Sequence, residues 1–270
     1  MTAVQWHQPG DMVYEAGLDR GVLYVENGVS VPWNGLISID EDNNNSVDEV
    51  FYDGVKINNI VTIGSFTGTM RAFTYPDAFL VCEGILEDQT GVYFTDQRPS
   101  RFGLSYRTLV GEGNDDPNAG YKLHILYNLV ANQTTRVRQT LALEPTPQEF
   151  EWSLYGIPEH IAGYHETCHV IIDSRKVDPW LLQDIEAILY GDADRDPELP
   201  SLKALVSFIK KWDRLIIVDN GDGTWTAIAQ RPDIITMLST TEFEIAADNA
   251  TYLDADTYTI SSSEKNEEDL

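Results

Sequence analysis

VLYVENGVSVPW, residues 22–33, is the stretch that decides the fold. Two runs rich in β-branched and aromatic residues flank the dipeptide Asn27-Gly28. Asn-Gly is the strongest short signal for a β-hairpin, because both central positions of a type I′ turn require a positive φ. The stretch therefore predicts two antiparallel strands joined by a tight turn.

Further runs rich in β-branched and aromatic residues lie outward from this hairpin. A second hairpin is predicted over 48–57, where Asp53-Gly54 occupies the turn. Alternating or β-branched runs of this kind favour half-buried strands over helices. We predict further strands at 36–41, 59–75, 102–111, 121–131, 136–143 and 149–157. The chain is therefore expected to be mainly β.

Two segments have helical periodicity instead. DPWLLQDIEAILYG (178–191) offers Asp178 as N-cap, Pro179 at the first helical position and Gly191 just past the end. SLKALVSFIKKW (201–212) also places its apolar residues on one face. We expect both helices to pack against a sheet.

A polar, proline-bearing break at 192–200 suggests two domains. We expect a β domain over 1–195 that includes the helix 178–191, and a small C-terminal module over 196–263. Within the module, one helix is followed by short strands at 214–218, 224–229, 242–246 and 256–261. The final residues, 264–270, read EKNEEDL and are expected to form a disordered acidic tail.

The charge of the chain limits its partners. It carries 44 Asp plus Glu against 18 Lys plus Arg, a formal net charge of −26. A surface this acidic repels phosphate groups, which argues against a protein that grips nucleic acid or anionic lipid. The first residues show no signal peptide and no apolar stretch approaches the ~20 residues of a membrane span. We therefore expect synthesis in a cytosol and no membrane partner.

Cysteine usage and motif content point away from catalysis. Cys82 and Cys168 are the only cysteines, too few for a disulfide framework or a Cys-x-x-Cys zinc pair. No phosphate-binding loop, dinucleotide fingerprint or nucleophile elbow is present. We expect no enzyme activity and no cofactor.

One segment, His165-Glu166-Thr167-Cys168-His169, matches the H-E-x-x-H pattern of zinc peptidases. That chemistry requires a helix, on which positions four apart lie ~5–6 Å from each other and can share an ion. The next residues, Val170-Ile171-Ile172, are β-branched and favour a strand. On a strand the two histidines would lie ~13 Å apart, too far to share one ion. We therefore interpret His165, Glu166 and His169 as a coincidental match and expect no metal there.

Arg136 and Arg138 alternate onto one face of the predicted strand 136–143. One interpretation is a solvated face with local ion pairs. The other is a contact with acidic surface on a neighbouring copy of the chain, since arginine is enriched at interfaces. We name Arg136, Arg138 and Trp33 as candidate inter-subunit contacts.

Several stretches taken together resemble one family. They are residues 17–41, 53–58, 74–79, 82–84, 101–108, 120–128 and 169–174, with a later segment at 220–263. Their order and spacing are similar to those of major tail tube proteins from long, flexible-tailed (non-contractile) bacteriophages, closest to those that infect actinobacteria. The resemblance covers about Gly17 to Ser263.

The resemblance implies a β-sandwich or barrel-like tail tube fold with 178–191 as its flanking helix. It further implies six-membered rings that stack into a tube in the virion tail, through which DNA is ejected. The partners would be other copies of the chain, the tape measure, tail terminator and distal tail proteins, with DNA passing unbound. Each phosphate held by Lys or Arg adds salt-dependent affinity for DNA. An inner wall of carboxylates with few cations therefore suits that passage, because it does not hold the DNA.

Two other classes of function remain open from the sequence. One is a zinc-dependent hydrolase that uses His165, Glu166 and His169. The other is a host-envelope binding module over 198–263, in which Trp225 and Tyr258 could stack on sugar rings.

Overall fold

The computed structural model describes residues 13–26, 28–42, 44–112, 116–133, 135–136, 138, 140 and 148–212, and six short strands between 215 and 258. The chain separates into two compact units, Met1–Leu202 and Lys203–Leu270. Each unit is described by itself below.

The described part of the first unit is mainly β, which confirms the predicted fold class. Its strands are β1 (Val13–Val25), β2 (Ser30–Pro32), β3 (Leu36–Asp42), β4 (Ser46–Tyr52), β5 (Val55–Thr62), β6 (Thr67–Ala72), β7 (Leu86–Gln89), β8 (Val92–Phe94), β9 (Phe102–Glu112), β10 (Asp116–Asn132), β11 (Phe150–Gly156) and β12 (His169–Asp173). A 3₁₀ helix spans Asp77–Glu83 and helix α1 spans Pro179–Tyr190.

Eight of these strands form one antiparallel sheet in the order β2-β1-β9-β10-β11-β6-β3, with β12 also paired to β10. Strand β10 changes partner along its length: Lys122 to Leu126 pair with β12, and Leu129 to Asn132 pair with β11. Asn128 lies at the change with φ +51°, a left-handed conformation that asparagine tolerates better than most residues. The sheet also curls, so that its last strand, β3, lies close to β9. The evidence is a 2.6 Å hydrogen bond that Tyr106 of β9 donates to Glu41 of β3.

The curl encloses an apolar core built from the alternate residues of each strand. Phe79 of the 3₁₀ helix lies at its centre, with ring centroids 4.6 Å from Trp33, 5.3 Å from Trp152 and 5.2 Å from Phe102. Tilted and edge-on aromatic contacts of this kind add to the free energy gained by burial. The remaining buried members are Leu23, Val25, Met70, Ala72, Cys82, Leu104, Tyr106, Leu126, Leu129, Ala131 and Leu154.

Helix α1 contacts residues of three strands of the sheet. Its N-cap Asp178 accepts hydrogen bonds from the N–H groups of Trp180 and Leu181, and Pro179 takes the first helical position, as the sequence predicts. Its buried side chains are Leu181, Leu182, Ile185 and Leu189. Tyr24 of β1 donates to the Leu189 carbonyl at 2.8 Å, Tyr121 of β10 donates to Glu186 at 2.8 Å, and Arg107 of β9 lies 3.9 Å from Glu186.

Two strand predictions are wrong in detail. The run 59–75 belongs to two strands, because β5 ends at Thr62 and β6 begins only at Thr67. At this break Gly64 donates to Asn45 and passes so close to Asn44 that a Cβ would lie 2.4 Å from its carbonyl oxygen.

The strand predicted at 136–143 is absent at the positions that are described, since Arg136, Arg138 and Thr140 lie outside any strand. The Arg136 side chain there bonds to Gln133 and Glu83 instead. Residues 141–147 lie outside the described part. The 3₁₀ helix and the β7–β8 hairpin have no counterpart in the sequence predictions.

The described part of the second unit contains α2 (Leu202–Lys211), which begins at the last residue of the first unit, and six short strands. They are β13 (Leu215–Asp219), β14 (Trp225–Ala229), β15 (Ile235–Met237), β16 (Phe243–Ile245), β17 (Tyr252–Asp254) and β18 (Thr257–Tyr258). Four pair in the order β14-β13-β18-β17, and β15 pairs with β16. The predicted acidic tail 264–270 lies outside the described residues. Neither described helix is long and apolar enough to cross a membrane.

Candidate functional site

The segment that matches the peptidase pattern is not helical. Thr167 forms an isolated antiparallel bridge with Glu159, and β12 begins at His169. His165 and Glu166 are exposed, whereas the His169 side chain is only 15% exposed. The helical spacing that the peptidase pattern requires is therefore missing here.

His169 instead meets two side chains from distant strands. His124 Nδ1 lies 3.1 Å from His169 Nε2 and 3.4 Å from Glu41 Oε1, and His169 Nδ1 lies 3.7 Å from Glu41 Oε2. One ligand atom from each residue can be chosen so that all three lie within 4.8 Å of one another. Within the described ranges, no other three His, Cys, Asp or Glu side chains converge in this way. We call Glu41, His124 and His169 the His/Glu cluster.

Strand register and the curl of the sheet bring the cluster together. His124 pairs with Tyr106 across β10 and β9, and their rings stack at 4.7 Å with an interplanar angle of 7°. His169 pairs with Leu126, two residues along β10 from His124, and so points to the same face. The Phe66 ring meets the His169 ring edge-on at 5.5 Å. His124 and His169 thus lie on the same face of the sheet as the core residue Leu126, just beyond the apolar core.

A chain of hydrogen bonds orients the His124 ring. Thr108 Oγ1 donates to Glu15 at 3.1 Å and lies 3.1 Å from His124 Nε2. Lys122 pairs with the same Glu15 carboxylate. Because a hydroxyl has one proton and Thr108 gives it to Glu15, its oxygen accepts from His124 Nε2–H. In the neutral ring this leaves the Nδ1 lone pair of His124 directed at Glu41 and His169.

The electrostatics of the cluster favour an ionised carboxylate beside neutral imidazole. A hydrogen bond from His124, available when Nδ1 of that ring also carries a proton, and a second one from Tyr106 lower the pKa of Glu41 to about 2. Burial lowers the pKa of His169 to about 4. Burial also raises the pKa of Tyr106, so its phenol remains a hydrogen-bond donor. At neutral pH the cluster therefore presents a carboxylate and an uncharged His169.

Two of the predicted inter-subunit contact residues, Arg136 and Trp33, make contacts within the subunit. Arg136 donates two hydrogen bonds, 3.0 and 3.2 Å long, to Glu83, whose side chain is 3% exposed. Trp152 Nε1 donates to the same carboxylate. Arg136 therefore neutralises a buried charge of its own chain.

Trp33 is a core residue. It is 3% exposed, and its Nε1 donates to the Thr74 carbonyl at 2.9 Å. Its side chain is enclosed by its own subunit, and a contact between Trp33 and a neighbouring copy stays a prediction. Arg138 is exposed and remains a candidate contact.

The most exposed apolar surface lies on the hairpin of β4 and β5, which we call the arm (residues 46–62). Its turn residues Asp53 and Gly54 both have positive φ, +48° and +75°, as a type I′ turn requires. The arm pairs with no other strand of the described chain. The large hydrophobic residues on the arm and at its base that are more than half exposed are Val47, Phe51, Tyr52, Val55, Ile57, Ile60, Val61 and Ile63.

The arm is an extension of a ribbon in the sheet. The chain runs from β3 through β4 and β5 to β6, and β3 pairs with β6 in antiparallel register. Asn44 hydrogen-bonds Thr67 across the point where the ribbon leaves the sheet. At ~3.3 Å per residue, seven strand residues project ~23 Å. A smaller hairpin, β7–β8, also exposes Leu86, Val92, Tyr93 and Phe94.

Sequence reasoning missed the His/Glu cluster and the exposure of the arm for identifiable reasons. Glu41 and His124 belong to strands with no motif between them, and only the curl of the sheet joins them. A histidine at an inward-facing position of an apolar strand was the one available signal. The arm was correctly predicted as a hairpin, but nothing local shows whether its apolar residues have a partner.

The sequence matches no protein-family model and no curated protein. Among solved structures, it is similar to a sheath/tube terminator of an extracellular contractile injection system (PVC) in the extended state, determined by cryo-EM. The identity is 13% and the TM-score 0.27, with 63% of this chain and 99% of that chain covered. A likeness of this size carries no argument about the function of the chain.

Proposed function

We propose that the chain is a structural subunit of a bacteriophage tail tube, which assembles when each arm docks on a neighbouring copy. The observation that carries this proposal is the arm: eight large hydrophobic side chains on it and at its base are exposed in the subunit. A two-stranded hairpin without a further layer is marginally stable in water. Exposed apolar patches of this kind mark interaction surfaces.

A second copy of the chain is the partner that the surface features favour. Strand β3 pairs only with β6 and β12 pairs only with β10 among the described strands, so each leaves an edge that can accept a strand. An arm that docks on a different surface of its neighbour makes a heterologous contact, and such contacts generate closed rings or filaments. Each exposed apolar side chain that becomes fully buried contributes about 1.5–3 kcal/mol.

The finer architecture follows from the resemblance in the sequence. Six copies form a ring, rings stack into the tube of a long flexible tail, and tape measure, tail terminator and distal tail proteins bind its ends. The excess of acidic residues suits an inner wall past which DNA slides without being held. Of the other two functions left open by the sequence, the hydrolase loses its structural basis because its pattern is not helical, and the binding module gains no support from the described residues.

Electron microscopy of the purified full-length protein tests the proposal, together with sedimentation velocity. We expect rings or tubes of uniform diameter from the wild type. A variant in which two glycines replace residues 46–62 should remain a monomer with an unchanged far-UV circular dichroism spectrum in the helical region. Wild-type protein that stays monomeric at all salt and protein concentrations, or arm-deleted protein that still forms tubes, contradicts the proposal.

A further inference from the structure

We propose that the His/Glu cluster binds one divalent transition-metal ion, with zinc as the reference ligand, and that this ion joins strands β3, β10 and β12. The inference is independent of the proposed assembly, because it concerns the interior of the sheet and not the arm. It uses His169 but neither of the other residues of the peptidase pattern, His165 and Glu166.

The spacing of the ligand atoms fits such an ion. Four ligands at ~2.0–2.1 Å around tetrahedral zinc lie ~3.3 Å from one another. The observed separations around His124 Nδ1 are 3.1 Å to His169 Nε2 and 3.4 Å to Glu41 Oε1. Two imidazoles and one carboxylate form a donor set suited to zinc and related first-row ions, whereas calcium and magnesium prefer oxygen alone.

The surroundings supply the outer contacts that metal sites use. His124 donates its Nε2–H to Thr108, which fixes the tautomer with Nδ1 available as a ligand. Tyr106 donates to Glu41 Oε1 at 2.6 Å and holds that carboxylate in place. Histidine ligands in proteins are generally fixed in this way by a hydrogen bond to their other nitrogen.

Proton accounting also favours a cation. With Nε2–H of His124 committed to Thr108, its Nδ1 faces the Glu41 carboxylate and one nitrogen of His169. The second nitrogen of His169 lies 3.7 Å from the same carboxylate, beyond an ordinary hydrogen bond. A single proton on His169 can therefore serve only one of these contacts, while one cation at the centre serves all three acceptors.

The site can be reached from solvent through Glu41. The Glu41 side chain is 37% exposed, and the His124 side chain, at 6%, is buried behind it. Three protein ligands with one open position is a common arrangement for zinc, in which water takes the fourth place. Because Glu41 and His169 are distant in the sequence, a shared ion also restricts the unfolded chain and stabilises the curled sheet.

The test uses full-length protein without a histidine tag, stripped with chelator and then equilibrated with zinc and dialysed. Elemental analysis should find about one zinc per chain. Zinc at about 100 times its Kd should raise Tm by ~5–10 °C. Glu41→Gln, His124→Gln and His169→Gln should each retain about tenfold less zinc and lose the Tm shift.

The matched controls are His165→Ala and Glu166→Gln, which alter the same segment outside the cluster and should leave both readouts unchanged. Circular dichroism confirms folding, and if His124→Gln does not fold, Glu41→Gln at a partly exposed position decides. Cobalt gives a second readout. Co²⁺ bound by all three residues of the cluster in a low-coordinate geometry should absorb visible light, and Glu41→Gln should abolish that absorption. Wild-type protein that retains no zinc, zinc that survives Glu41→Gln, or zinc lost on His165→Ala overturns the proposal.

Discussion

The curled sheet and the arm are built from the same kind of sequence but have opposite environments. In the sheet, Leu104 and Trp152 are fully buried; in the arm, Phe51 is 57% and Ile60 51% exposed. Both regions contain strands rich in β-branched and aromatic residues. The difference is that the sheet curls over its own inner face, whereas no described part of the subunit lies opposite the arm. The residue pattern therefore predicts a strand. Whether another part of the subunit covers that strand decides if its apolar residues belong to the core or to an exposed surface.

The largest expected effect is a difference in the free energy of unfolding between a core variant and an arm variant. Trp152→Ala removes a ring at the centre of the core and should lower the free energy of unfolding by about 3–5 kcal/mol. Phe51→Ala removes a ring from the exposed arm and should change it by less than about 0.5 kcal/mol. Urea unfolding of the two variants under monomeric conditions measures both values. Equal losses would show that the arm is covered within the subunit and would erase the contrast.

The two arginines of the predicted contact set sharpen the same contrast at smaller magnitude. Arg136→Met leaves the buried Glu83 carboxylate without its cation and should cost about 3 kcal/mol of stability. Arg138→Met changes an exposed side chain and should cost less than about 0.5 kcal/mol. Chemical denaturation of this matched pair checks the assignment. If Arg138→Met lowers the free energy of unfolding more than Arg136→Met does, the role of Arg136 within the subunit is misassigned.

The arm itself can be tested at single-residue resolution. Ile60→Lys places a charge on the apolar surface and should weaken each inter-subunit contact by about 2 kcal/mol, roughly a thirtyfold change in affinity. Asn58→Lys adds the same charge to the same strand at a polar position and should assemble nearly as wild type. Sedimentation velocity over a concentration series compares them. If both variants assemble alike, Ile60 does not lie in the contact.

The smallest effect concerns the helix that packs on the sheet. Asp178→Ala removes the acceptor for the N–H groups of Trp180 and Leu181 and should cost about 1 kcal/mol. Asp178→Asn keeps an N-cap acceptor and should lose only a few tenths. Thermal unfolding distinguishes the two variants. Assembly should be unaffected by either, because the cap lies in the body of the subunit and not in the arm.

Local patterns in the sequence predicted most individual elements. The Asp53-Gly54 turn, the Asp178 cap and the strands around Leu104 and Leu126 all follow from residue type and spacing. The break at Gly64 did not, because it depends on the close contact with Asn44 and Asn45, and the described residues Arg136, Arg138 and Thr140 lie outside any strand without a local signal for it.

The candidate site was predictable only in part. Residue types excluded the peptidase geometry at His165 and Glu166, since β-branched residues follow His169. The partners of His169 could not be found, because Glu41 is 128 residues away in the chain and reaches it only through the curl. Trp33 was assigned to a contact between subunits, although a tryptophan beside a tight hairpin fits equally well in a core.

A cryo-EM map of assemblies formed by the wild-type protein tests the central claim most directly. The account predicts that residues 46–62 lie against a neighbouring copy, with Phe51 and Ile60 buried in the contact. A map in which the arm projects into solvent, while other surfaces hold the subunits together, would contradict it.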